Sequence, residues 1–120
     1  MINQHDELKS SLETILPAFY EMALTSKAPI PCISYMELGN NVHVNGDTLG
    51  YSRLNYQIKV WANKVKDLQK YALEIDNVLR PLGWTRVSSN EMYDTRSTMM
   101  QKILNYEALA LEDFKGGLIR

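Results

Sequence analysis

Residues 53–62 read Arg-Leu-Asn-Tyr-Gln-Ile-Lys-Val-Trp-Ala, an unbroken alternation of polar and apolar side chains. Successive side chains of an extended strand point to opposite faces. Leu54, Tyr56, Ile58, Val60 and Ala62 therefore share one face, and Arg53, Asn55, Gln57 and Lys59 share the other. Trp61 falls on the polar side, at the same parity as Lys59. This is the pattern of a half-buried sheet. A chain with such a strand must supply a second layer to cover its apolar face.

The segments around this strand supply that layer. Upstream, Leu8, Leu12, Ile15, Leu16, Phe19 and Ala23 recur at steps of three and four, which predicts an amphipathic helix. Asp6 and Glu7 suit the positive end of its dipole. Pro17 is expected to kink the helix or split it after Leu16. Pro29 and Pro31 then force an extended path into a first strand at residues 32–38. Residues 39–52 form a polar loop far longer than a hairpin needs, with turn signals at Gly39-Asn40-Asn41 and Asn45-Gly46-Asp47. Val42-His43-Val44 can pair between those turns, so the segment also reads as a protruding hairpin. The length of this connection suits contact with another molecule.

After Ala62 the period changes to about 3.6. Val65, Leu68, Tyr71, Ala72, Ile75, Val78, Leu79 and Leu82 make a second helical stripe, with Asn63 as the expected N-cap and Pro81 and Gly83 as the stop. Glu74, Asp76, Lys66, Lys70 and Arg80 are assigned to the solvated face. Residues 84–88 read as a short strand and residues 89–98 as a polar connection. Residues 99–111 alternate again. Met100, Leu104, Tyr106, Ala108 and Ala110, with Lys102 among them, lie on one side. Gln101, Ile103, Asn105, Glu107 and Leu109 lie on the other, a mixture that fits a central strand or an edge meeting a partner. The expected fold is α+β: an antiparallel sheet of about four strands with two helices packed on one face, in the order helix-strand-strand-helix-strand-strand. Residues 1–112 form a single domain and residues 113–120 a flexible tail in this reading.

The chemistry this composition excludes is equally informative. Thirteen basic residues against fourteen acidic ones give a net charge of −1, which exerts no general pull toward nucleic acid or anionic membrane. Cys32 is the only cysteine, so no internal disulfide forms, and a small buried side chain is its expected role. The first residues lack the basic and apolar regions of a secretory signal, and no apolar run approaches the ~20 residues that span a bilayer. Synthesis and assembly in the cytosol are expected. His5 and His43 are the only histidines, placed at the start of the chain and in the long loop, where a catalytic base is poorly held. No histidine–cysteine cluster has zinc spacing, and no phosphate-binding glycine loop occurs. The adjacent carboxylates Asp6–Glu7 and Glu112–Asp113 read as element ends. No catalytic, cofactor-binding or metal-ligating residue is therefore expected, and the chain reads as no enzyme.

What remains are contact residues. Arg53, Lys59, Lys64, Lys66 and Lys70 lie close in sequence, and Arg53 and Lys59 share a strand face with Trp61. That combination suits a subunit contact, or the basic face of a small module for nucleic acid or a metabolite. Tyr51, Tyr93 and Arg96 are candidates for loop contacts, since exposed tyrosine is enriched at protein interfaces. Met92, Met99 and Met100 add adaptable surface beside Tyr93, or fill gaps in the core.

The order of elements and several local phrases resemble the tail-completion, or tail-terminator, proteins of long-tailed bacteriophages. The matching residues are Pro31, Ile33 and Tyr35 of "APIPCISYMEL", Val60-Trp61, and Leu68, Ala72, Ile75, Leu79, Gly83 and Trp84 of the following helix and its exit. The late strand "KILNYEAL" completes the pattern. The resemblance covers roughly residues 1–112 and rests mostly on core positions. It implies a structural virion protein of a phage or prophage, made in the host cytoplasm and located in the tail or neck. Such a protein caps the tail tube and joins the tail to the head connector as a ring of six. Its partners would be further copies of itself, the tube protein and the connector, with DNA passing through the lumen without sequence-specific binding. A head-completion protein of the same neck is the neighbouring reading.

Overall fold

The computed structural model describes residues 5–20, 29–43, 51–94 and 99–111. Among them are helix α1 (His5–Glu13), strand β1 (Ala18–Tyr20), strand β2 (Cys32–His43), strand β3 (Tyr51–Ala62), helix α2 (Val65–Leu79), strand β4 (Thr85–Asp94) and strand β5 (Met99–Leu111). The sheet order is β1-β2-β3-β5-β4. The short β1 runs parallel to β2, and every other neighbouring pair is antiparallel. The α+β architecture is as expected, with a fifth strand added to the four.

β3 is the centre of the molecule. It pairs with β2 on one side and β5 on the other, from Tyr51 through Trp61 in both ladders. Leu54, Tyr56, Ile58, Val60 and Ala62 are all buried, as the alternation predicts. They pack with Ile33 and Tyr35 of β2 and with Leu104, Tyr106, Ala108 and Ala110 of β5. Leu8 and Leu12 of α1, and Leu68, Ala72, Ile75 and Leu79 of α2, close the same core. Both helices therefore cover one face of the sheet. Burying a leucine or isoleucine side chain stabilises the fold by about 1.5–3 kcal/mol.

The leading helix ends earlier than its apolar stripe. Backbone bonds from Ile15 and Leu16 to the Leu12 carbonyl close the last turn. Pro17 then stops the helix, because the residue before a proline is driven to extended geometry. The Pro17 carbonyl accepts from the Ile33 amide at 2.9 Å, and residues 18–20 become β1. Phe19 lies in that strand, not on a helix, and Ala18 is the buried residue. Ala23 lies outside the described residues.

Three further expectations are corrected. β2 runs through residues 39–41 and on to His43, so much of the expected loop is strand, with a bulge between Glu37 and Gly39 absorbing the turn signal. Residues 39–43 pair with residues 51–55, so His43 is a strand residue, and Val44 and the Asn45-Gly46-Asp47 turn signal lie outside the described residues. β4 extends to Asp94, so Tyr93 stands on a strand and not in a connection. The N-cap of α2 is Lys64, without a side-chain bond, not Asn63.

Asp76 is the most consequential correction. The sequence assigns it to the solvated face of α2, but it is only 8% exposed. The Tyr106 hydroxyl donates to Asp76 Oδ1 at 2.7 Å, and Arg80 Nη2 donates to Oδ2 at 2.8 Å. One carboxylate thus ties α2 to β5 across the core. The helix exit is locked just beyond: Gly83 takes φ of 104°, a left-handed value that favours glycine. The Trp84 amide reaches back to the Leu79 carbonyl, and the Trp84 ring meets Tyr56 edge-on at 5.4 Å.

Burial, followed by the bond to Asp76, holds the Tyr106 hydroxyl well above its usual range. Burial, followed by Glu37, does the same to Tyr56. In the unfolded chain both ionise near pH ~10. Stability is therefore retained below that pH and falls above it, by up to about 1.4 kcal/mol per pH unit per tyrosine. Tyr106→Phe is expected to flatten this alkaline loss in urea unfolding measured from pH 8 to 11. At pH 7 the same variant, which removes a partner from a buried carboxylate, is expected to cost about 1–3 kcal/mol.

Candidate functional site

The face of the sheet away from the helices is the candidate contact surface. β2 contributes Cys32, Ser34 and Met36. β3 contributes Arg53, Asn55, Gln57, Lys59 and Trp61, and β5 contributes Gln101, Ile103, Asn105, Glu107 and Leu109. The polar parity of β3 puts Arg53, Lys59 and Trp61 on this one face, as expected.

Trp61 differs from that expectation in its burial, since it is only 9% exposed. Its indole N–H donates to Ser34 Oγ at 2.9 Å, a buried bond that ties β3 to β2. The Lys59 ammonium stands 6.0 Å from the Trp61 ring centroid, within cation–π range. Cys32 pairs with Trp61 across the ladder and is buried, and burial pushes its thiol up to about 11. That environment suppresses thiolate reactivity.

Arg53 is half exposed and ion-paired with Glu107 of β5 at 3.2 Å. Its charge is therefore offset on this face. Lys64, Lys66 and Lys70 stand at the start of α2, on the other side of the sheet. The close sequence spacing of these basic residues does not become one basic surface. Gln101 Oε1 and Asn105 Oδ1 are buried acceptors with no hydrogen-bond partner among the described residues, and both belong to this face of β5. The face is thus amide-rich, and one of its two cations, Arg53, is offset by Glu107. The sequence reading did not single out Glu107 as the partner of Arg53, because only the β3–β5 register brings them together.

Tyr93 stands apart from this group, on the outermost strand, and is 58% exposed. Met92 and Val87 on the same strand are exposed at 52% and 58%. Tyr51 is the first residue of β3, opposite His43 and Leu111. Arg96 lies outside the described residues. A cleft of about 310 Å³ opens where β4 begins, lined by Gly83, Thr85, Val87, Glu107, Ala108 and Leu109. It holds one carboxylate, Glu107, whose partner across the ladder is Thr85. Among the described residues no group of histidine, cysteine and carboxylate side chains could hold a metal ion. No described helix is long and apolar enough to cross a membrane.

Because Trp61 is packed within the subunit, its truncation should be felt by the isolated chain. Trp61→Ala is expected to lower unfolding stability by about 3–5 kcal/mol. Arg53→Ala, at a half-exposed ion pair, should change it by less than about 1 kcal/mol. Urea titration of the two variants checks both values.

No protein-family model matches the sequence, and no curated protein matches it either. Among solved structures, the chain is similar to one described as "Virion of native gene transfer agent (GTA) particle". The TM-score is 0.56 at 11% sequence identity, over 87% of this chain and 84% of the other. The two share a fold.

Proposed function

We propose that this chain is a structural protein of a phage-like particle, acting in the tail or neck, where it closes the tail tube and joins it to the head connector as a ring. The observation that carries this reading is the fold shared with a chain of the gene transfer agent virion, along nearly the full length of both. The resemblance of residues 1–112 to tail-terminator proteins points the same way. The contact face is consistent with it: charges paired across strands, buried amide acceptors and a packed tryptophan suit a rigid assembly surface. With Arg53 offset by Glu107, the face offers DNA phosphates little hold.

Function in this proposal is assembly. Identical subunits joined by head-to-tail contacts close into a ring. One rim ends tube growth and the other meets the connector. Tyr93, exposed on the outermost strand, is placed for such contacts. The alternative of a small module binding through a basic strand face is disfavoured by the Arg53–Glu107 pair.

Two experiments test the proposal. Deleting the gene from its source particle and viewing the products by negative-stain electron microscopy should show filled heads beside unjoined tails of irregular length. Normal tails with leaking heads would move the protein to head completion, and intact infectious particles would overturn a structural role. Separately, Tyr93→Ala should leave the unfolding midpoint of the chain within about 0.5 kcal/mol of the parent and reduce the yield of joined particles. Unchanged yield would remove Tyr93 from the contact.

A further inference from the structure

The helix layer has two unlike ends. α2 lies over β3 and β5, and α1 packs beside α2 and β1. Along the sheet order β1-β2-β3-β5-β4, α1 therefore stands at the β1 end and α2 toward β4. Lys66, Gln69, Leu73, Asp76 and Arg80 follow steps of three and four, so they share one flank of α2. Asp76 on that flank accepts from Tyr106 of β5, which turns the whole row toward β5 and β4. Apart from Asp76 its members are exposed, Leu73 at 63%. The opposite row, Asp67, Tyr71, Glu74 and Val78, is half-buried and faces α1.

The helix side of β4 runs beside the exposed row. Arg86 pairs with Tyr106, next to Asp76 and Arg80, and Tyr93 pairs with Met100, opposite Ala62 just before α2 begins. Each row spans ~20 Å by its rise per residue. Arg80 is bridged to Asp76 and Lys102 to Glu91, so Lys66, Lys70 and Arg86 give this shelf its net positive charge. The other end is acidic. On α1 the exposed charges are Asp6, Glu7 and Glu13 against Lys9. Asp6, Ser10 and Glu13 form one row. Burial first, then Glu13 and Asp6, hold the Tyr35 hydroxyl of β2 above its usual range, which sets that row at the β1–β2 end.

We propose that copies of this chain join through the helix layer, the acidic row Asp6–Glu13 of α1 in one copy seating on Lys66, Lys70, Leu73 and Arg86 of the next. The inference rests on the ring reading above and names its contact. A second copy is the occupant because each end finds its opposite charge on the same chain, on the same side of the sheet and at its other lateral end. The contact is heterologous, as a ring of identical subunits requires. Charge complementarity sets its register and orientation, and Leu73 supplies an apolar centre among the cations.

The test is charge reversal with rescue in the full chain. Asp6→Lys/Glu13→Lys reverses one end, Lys66→Glu/Lys70→Glu reverses the other, and a third variant carries all four changes. All four positions are exposed, and the unfolding midpoint of each purified variant is measured alongside. Each variant is supplied to particles lacking the gene. Reversing either end alone is expected to lower the yield of joined particles at least ~10-fold, because like charges then meet. Reversing both is expected to restore it, which a loss of subunit stability would not do. In parallel, a mixture of heavy-isotope-labelled and unlabelled parent protein is treated with a carbodiimide, which joins carboxylates to amines in contact. Mixed-isotope products linking Asp6 or Glu13 to Lys66 or Lys70 come from two copies and support the contact. Full yield from either single-end reversal, or a loss that the combined reversal does not restore, would overturn the contact and leave the virion role standing. Mixed-isotope links from a chain whose deletion leaves particles intact would support the contact and sink the virion role. Intact particles on deletion with no such link would overturn both.

Discussion

The structure depends on one strand that cannot be left alone. β3 buries Leu54, Tyr56, Ile58, Val60 and Ala62 on one face and pairs along its length on both edges. Its backbone groups are satisfied only if β2 and β5 lie beside it, and its apolar face is dry only if both helices lie over it. β2, β5, α1 and α2 are each placed by that demand. β4 is not, since its residues 85–93 are exposed and, among the described residues, its neighbour in the sheet is β5.

This division separates stability from contact. The helix-covered side carries the buried ties, Tyr106 to Asp76 and Trp84 against Tyr56, which fix α2 over the sheet. The other side and the outer strand carry paired charges, amides and exposed apolar residues such as Val87, Met92 and Tyr93.

The limits of the sequence reading follow from particular residues. The stripe through Phe19 and Ala23 continued the helical period, but Pro17 ended the helix and residues 18–20, Phe19 among them, met β2 as a parallel strand. The period of apolar residues does not register where a partner strand waits. Residues 39–41 look like a turn by composition, yet a bulge next to Gly39 lets them extend β2. Asp76 reads as a surface charge of the solvated helix face, and only the approach of Tyr106 from a strand thirty residues away makes it a buried acceptor. Trp61 has the correct face by parity, but parity says nothing of burial, which the Ser34 contact and its neighbours supply.

The sequence alone determined the α+β class, the core face of β3 and β5, the long amphipathic α2 and the grouping of Arg53, Lys59 and Trp61. Each of these is a local periodicity or a spacing, and local geometry is encoded along the chain. Tertiary structure alone decided the parallel β1, the insertion of β5 between β3 and β4 and the Arg53–Glu107 pair. These depend on which distant strands lie side by side. That choice is set by how the whole apolar surface is buried at once, which no single segment contains.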